Sequence, residues 1–137
     1  MSNRLTSRWA ETAEEAFGER GAKGERGEQI AKRIIEMLGH NVTHHPADKQ
    51  LQMSGIDLYI DGKYGVDVKN NLKTNRDVCI EQDKLFKSKA TFWIHVNDED
   101  HDDFVIYKTE DARQWVENNA SPFDDLVWVP REVAYAL

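Results

Sequence analysis

Apolar residues recur at helical spacing in two stretches near the N-terminus and at strand spacing through the middle of the chain. Trp9, Ala13, Ala16 and Phe17 make the apolar side of a short helix over Ser7–Phe17. Gly18, Gly21 and Gly24 break that pattern. A longer helix over Gly24–Leu38 turns Ile30, Ala31, Ile34, Ile35 and Leu38 toward a core, and Gly39 stops it. Asn41–His45 reads as a first strand and Pro46–Ser54 as a polar loop. After a hairpin come a polar, basic loop over Asn70–Asp77, a short strand Val78–Ile80, and a helix Glu81–Lys89 with Lys84, Lys87 and Lys89 outward. Ala90–Val96 is a buried strand, Asn97–Asp103 an acidic turn and Phe104–Tyr107 another strand. Thr109 caps a helix carrying Trp115 and Val116, and Leu126–Val129 is the last strand. Trp93, Trp115 and Trp128 occupy positions expected to pack the core. The order predicts an α/β fold, a mixed β-sheet flanked by helices.

The hairpin carries the chemistry. On its first strand Ile56, Leu58 and Ile60 share one side, and Asp57 and Tyr59 the other. On its second strand Tyr64, Val66 and Val68 oppose Asp67 and Lys69. Asp61-Gly62 invites a two-residue type I′ turn, but that register would set the two apolar rows on opposite faces. A three-residue loop at Asp61–Lys63 or a five-residue loop at Asp61–Gly65 restores the match. Both keep Asp57, Asp67 and Lys69 on one face. With the shorter loop Asp57 faces Asp67, Cβ atoms about 4.5–5.5 Å apart, an arrangement that destabilises a sheet unless a cation lies between them. The hairpin alone allows either a solvated polar face or a site where a divalent metal activates water.

Length and charge narrow the classes. The 137 residues suit one domain with a normal core. No apolar run approaches a membrane span, and the first eight residues lack the apolar stretch of a signal peptide, so a cytoplasmic setting is expected. Cys79, the single cysteine, excludes an intrachain disulfide and a cysteine-based zinc site. The net charge of -7 is unevenly spread. Residues 1–50 hold 8 Lys/Arg and 8 Asp/Glu, residues 51–90 hold 7 and 6, and residues 91–137 hold 3 and 11. The excess acid lies in the last third, which leaves the first two-thirds free to build a nucleic-acid surface without a broad basic footprint.

Glu28 lies one turn before Ala31 and two before Ile35, at the edge of the apolar stripe. It is either a first-turn acid favoured by the helix dipole or an acid that reaches across to the sheet. Other clusters read as structural. His44-His45 has no supporting acid or histidine. The 98–103 turn lacks the glycine and terminal glutamate of an EF-hand. The glycines do not follow a strand as a phosphate loop does, and no serine or cysteine nucleophile is arranged for attack.

Glu28 on a helix, Asp57 on a strand, Asp67-x-Lys69 on the next and Glu81-Gln82 opening a helix together resemble the PD-(D/E)xK nuclease superfamily. Within it the chain is most similar to archaeal-type Holliday-junction resolvases and small phage nucleases. Gly27-Glu28-x-x-Ala31-x-x-x-Ile35-x-x-x-Gly39 resembles the first motif, Ser54-Gly55-Ile56-Asp57 the second, with Ile56 where proline is frequent, and Val66-Asp67-Val68-Lys69 the third. Val78-x-Ile80-Glu81-Gln82 is similar to the strand and helix start that follow.

The resemblance implies a restriction-endonuclease-like fold over a single domain 1–137: a helical extension 1–20, a catalytic core 21–97 and an acidic strand–helix–strand part 98–137. It implies a Mg²⁺- or Mn²⁺-dependent endonuclease that hydrolyses DNA phosphodiester bonds, with branched or structured DNA as substrate and a homodimer as the expected form. Asp57 and Asp67 would bind metal with the carbonyl of Val68, and Glu28 would bind a second ion directly or through water. Lys69 would orient the attacking water, Gln82 would steady the site or touch substrate, and Lys73, Arg76 and Lys84 would contact phosphates. The same fold also supports a nuclease acting on RNA or single strands, or a non-catalytic module that binds a protein partner through an acidic, DNA-mimicking C-terminal surface.

Overall fold

The structure is a computed structural model, and it describes residues 21–44, with the side chain of His44 excepted, and 54–137. The helix expected over Ser7–Phe17, His45 and most of the loop at Pro46–Ser54 fall outside these residues. Residues 21–37 are helical (α1). They are followed by β1 (Val42–His44), β2 (Leu58–Ile60), β3 (Tyr64–Lys69), β4 (Val78–Glu81), α2 (Gln82–Lys87), β5 (Phe92–Val96), β6 (Phe104–Lys108), α3 (Thr109–Asn119), β7 (Leu126–Val129) and α4 (Arg131–Ala136). Five strands make a mixed sheet in the order β1-β2-β3-β5-β6, parallel only between β3 and β5. β4 and β7 leave that sheet and pair with each other as an antiparallel ribbon.

Two apolar cores follow from strand alternation. On one face Leu58, Val66, Ile94 and Val96 meet Ile30, Ala31, Ile34 and Ile35 of α1. On the other, Trp93, Val105 and Tyr107 pack beneath residues of the ribbon, α2, α3 and α4, among them Val78, Leu85, Val116 and Val129. β5 is therefore buried on both faces, which explains its apolar run, interrupted only by His95, whose ring nitrogens are both hydrogen-bonded. α1 ends as its glycine demands: Gly39 has φ +97°, its N–H reaches the Glu36 carbonyl at 3.0 Å, and the His40 N–H reaches that of Ile35 at 3.2 Å.

The hairpin has a three-residue loop. Asp61 and Gly62 are both left-handed, and the Lys63 N–H returns to the Ile60 carbonyl at 3.0 Å, as a tight turn needs. Lys63 is nonetheless left out of the ladder, so Ile60 pairs with Tyr64 and Leu58 with Val66. The added residue keeps both apolar rows on the α1 face. The tip is also tied to the end of α1, where Asp61 accepts hydrogen bonds from the Asn41 N–H at 3.0 Å and pairs with His40 Nδ1 at 3.0 Å.

Several expected positions are corrected. Leu38 is 56% exposed, because the chain turns away at Gly39 and leaves it beside Met37 and Phe104 in an open groove. Trp128 is 57% exposed, since on β7 the inward positions belong to Val127 and Val129. Trp115 is only partly buried against the larger core. Ile56 packs against the larger core rather than on the side of Leu58, lying over Gly65, where an added Cβ would meet it at 3.0 Å. Thr109 does not cap α3: Lys108 holds that position, while Thr109 Oγ1 is buried with no hydrogen-bond partner among the described residues. α4 was not expected at all.

Arg131 of α4 ties the C-terminus to the loops beside the sheet. It donates to the backbone carbonyls of Lys73 and Arg76, to both carboxylate oxygens of Asp103 and to the Tyr135 hydroxyl. These bonds from Arg131, followed by one from Asn97, hold the Asp103 carboxyl below its ordinary pKa. A carboxylate depressed in the folded state stabilises above its unfolded pKa, and that contribution is lost as pH falls through the folded value. Asp103→Asn should therefore cost about 1 kcal/mol at neutral pH, a modest figure because the amide keeps one acceptor oxygen for Arg131 while the charge is lost. In chemical denaturation the difference from wild type should shrink below about pH 4. A penalty that stays constant from pH 7 to pH 2 would show that the ion pair is not its source.

Candidate functional site

Where β2 begins, the ladder changes character. The Asp57 N–H donates to the Val66 carbonyl at 2.8 Å, and the Asp57 carboxylate accepts the N–H of Val68 at 2.8 Å. Asp67 follows on β3, in register with Trp93 of β5, and is only 3% exposed. Lys69 Nζ lies 3.2 Å from Asp67 Oδ1 and 5.0 Å above the centre of the Trp93 ring. The two carboxylates and the lysine thus meet in one cleft of about 310 Å³, lined by Ser54, Gly55, Asp57, Asp67, Val68, Lys69, Lys84, Lys87 and Ser88.

Two glycines make this packing possible. Gly55 has φ +80°, and a Cβ there would lie 2.7 Å from Asp67 Oδ2 and 2.9 Å from Ser88 Oγ. Gly27 lets α1 approach the end of β3 so closely that a Cβ would lie 2.7 Å from Asn70 Cβ. Asn70 in turn donates to the Lys23 carbonyl at 2.9 Å. That approach brings the partly buried Glu28 near enough for its charge to act on Asp57.

Burial governs the electrostatics. Desolvation, with the neighbouring charges of Asp67 and Glu28, pushes the Asp57 carboxyl up to about 7 against the opposing hydrogen bond from Val68. Asp67 is also raised by burial, while Lys69, Ser88 and Lys84 pull it back down. Behind them His95 is fully buried and held neutral, its pKa lowered to about 3 by desolvation and by Lys69. It bridges Asn71 Oδ1 at 2.8 Å and the Tyr107 hydroxyl at 2.7 Å.

Of the residues expected at the site, Asp57, Asp67, Val68, Lys69 and Lys84 line the cleft, and Glu28 stands close behind Asp57. Gln82 does not line it. Its amide donates to the carbonyls of Ser121 at 3.0 Å and Asp124 at 2.6 Å, holding the segment before β7. Lys73 and Arg76 are exposed but lie outside the cleft lining, on the loop whose carbonyls Arg131 gathers. None of residues 98–103 lines the cleft either. Sequence reasoning passed over Ser88 and the place of Lys87 on the cleft wall; Lys87 is exposed as expected and pairs with Asp83 at 3.1 Å. Only Lys87 had a local signal, its helical spacing from Lys84.

The chemistry of this set fits a hard divalent cation: the buried Asp67 and the partly buried Asp57 line one cleft, each carboxylate within reach of the other's charge, with the backbone of Val68 beside them. Among the described residues no three acidic, histidine or cysteine side chains converge as a ready-made ligand cluster. No family model matches this chain, and no curated protein or solved structure compared with it matches either.

A methyl group at position 55 should disturb this site directly. Gly55→Ala is expected to cost roughly 1–3 kcal/mol from the left-handed backbone alone, and to displace Asp67 as well. A denaturation midpoint equal to that of wild type would contradict the close packing described.

Proposed function

We propose that the cleft is the active centre of a metal-dependent nuclease of the PD-(D/E)xK kind, hydrolysing DNA phosphodiester bonds. The mixed sheet with α1 on one face and α2 on the other would then be a restriction-endonuclease-like core. The observation that carries this reading is that Asp57, just before β2, and Asp67 of β3 line one cleft, with Lys69 at 3.2 Å from Asp67 and with Lys84 and Lys87 on the same lining. An ordinary solvated strand face does not bury its carboxylates, and here Asp67 is almost wholly covered.

Asp57, Asp67 and the Val68 carbonyl would hold Mg²⁺ or Mn²⁺, and Glu28 would serve a second ion through water. When bound, the cation supplies Lewis-acid polarisation of the phosphodiester and charge for the leaving oxygen. Lys69, fixed between Asp67 and the Trp93 ring, stands beside the carboxylates, where it can orient the attacking water and offset phosphate charge. Lys84 and Lys87, on the cleft wall formed by α2, supply charge to the flanking phosphates. Both lysines carry exposed pairs, Lys84 with Glu81 at 3.5 Å and Lys87 with Asp83 at 3.1 Å, which a phosphate can displace at little cost; on the acidic side Asp98 pairs with Arg26 at 3.2 Å and Asp103 with Arg131.

The test is cleavage of linear, single-stranded and four-way-junction DNA, with an RNA arm, in Mg²⁺ or Mn²⁺. Asp67→Ala and Lys69→Ala should each lower the rate by roughly 10²-fold or more while remaining folded. Persistence of wild-type rates in both variants removes the assignment. In the same preparation Mn²⁺ should raise the melting temperature of wild type and leave that of Asp57→Ala unmoved. Lys84→Ala and Lys87→Ala should weaken binding of every substrate alike and flatten its salt dependence by about one unit of slope each. An unchanged salt slope would place the nucleic acid elsewhere.

A further inference from the structure

Ser88, immediately after α2, is 5% exposed and has its hydrogen-bonding capacity filled in a specific order. Its Oγ accepts from the Ala90 N–H at 3.2 Å and from the Trp93 indole N–H at 3.2 Å. A hydroxyl has two acceptor lone pairs and one proton. Both acceptor positions are therefore taken, and the proton is left for the remaining neighbour, Asp67 Oδ2 at 3.3 Å. The donor direction of Ser88 is thus set by Trp93 and Ala90 rather than by free rotation.

The same indole acts on the other oxygen of Asp67. Its ring face lies under Lys69 Nζ at 5.0 Å, and Lys69 binds Asp67 Oδ1 at 3.2 Å. One rigid ring thereby sets both partners of the carboxylate, one through its N–H edge and one through its face. The ring is itself immobile: fully buried, stacked on Tyr107 with centroids 6.3 Å apart, and close to His95 at 6.1 Å. Ser88 is anchored from α3, where Arg113 donates to the carbonyls of Leu85, Phe86 and Ser88.

We propose that Trp93 and Ser88 are a positioning pair that fixes the Asp67 carboxylate and the Lys69 ammonium in one relative geometry. Neither residue touches substrate; both act through Asp67. The catalytic consequence rests on the nuclease reading, whereas the geometric one does not. Groups that orient a metal-binding carboxylate are typically worth 10- to 100-fold in affinity or rate when removed.

The experiment compares Ser88→Ala, Trp93→Phe and the double variant in the full chain. Trp93→Phe keeps an aromatic face but removes the N–H together with the pyrrole half of the indole, so its packing loss is read separately as a lowered melting temperature. At saturating Mn²⁺ each single variant should lower kcat roughly tenfold with little change in KM for DNA. The double variant should fall no further, because the two act in series. In the metal-free protein, the ¹³C-carboxyl resonance of Asp67 should move in each single variant and no further in the double. Additive losses, or a lowered melting temperature with kcat and the Asp67 resonance unmoved, would overturn the pairing. If Trp93→Phe does not fold, Ser88→Ala alone must move the Asp67 resonance or the proposal fails. If wild type cuts nothing, the resonance still decides for or against the positioning pair, and only the nuclease reading falls.

Discussion

Burying a carboxylate beside another carboxylate is the constraint around which the middle of this molecule is arranged. Asp57 and Asp67 stand where the sheet meets its larger apolar core, and burial drives both toward the protonated form. An ionised acid in such a place is costly unless hydrogen bonds and opposite charge compensate it. The compensation comes from separate parts of the chain: the Val68 N–H on β3, Lys69 at the end of that strand, and Ser88 beyond α2. Gly55 removes the one side chain that would hold these groups apart. Removing any of these leaves a buried charge less satisfied, so the geometry of the site and the stability of the fold are coupled there.

α2 is six residues long, far too short to persist by itself. Its two ends are held by the C-terminal third of the chain. Gln82 at its start binds the carbonyls of Ser121 and Asp124, and its own N–H reaches the Asp125 carbonyl at 2.9 Å. Arg113 of α3 collects the carbonyls that the last turn leaves unpaired. The acidic third is therefore the support that holds Lys84, Lys87 and Ser88 over the two aspartates. This explains why Gln82, beside the site in sequence, contributes to it only through the helix it fixes.

What could be read from the sequence was what local periodicity decides. Alternation in the hairpin, with the requirement that Leu58, Ile60, Val66 and Val68 share a face, was enough to reject a two-residue register and bring Asp57 and Asp67 together. The stripe on α1 and the glycine at its end were equally local. The misses depend on partners far along the chain. Ile56 crosses to the other face because the regular ladder stops at Leu58. Leu38 continues the apolar stripe in sequence, but the helix turns away before the sheet can cover it. On β7 the alternation of Val127 and Val129 sets Trp128 outside, so the period rather than the size of the side chain decides its face. Ser88 had no signal, since nothing in its neighbours shows that an indole five residues on will orient its proton.

The overall charge of -7 argues against a polyanion only if its acids act on the same surface as its lysines. Here Asp57 and Asp67 are the acids that line the cleft of those lysines, and none of the acids of the last third lines it. Asp98 is paired with Arg26 and Asp103 with Arg131. The cleft wall instead presents Lys69, Lys84 and Lys87 around its two acids. At physiological salt the screening length is about 8 Å, so a phosphate in the cleft responds chiefly to the groups lining it. A divalent cation held by Asp57 and Asp67 would offset their charge, while Lys84 and Lys87 carry exposed pairs with Glu81 at 3.5 Å and Asp83 at 3.1 Å that are weak enough for a phosphate to displace. On the proposed nuclease reading, the remaining acidity would act outside the cleft and weaken adventitious binding along nucleic acid.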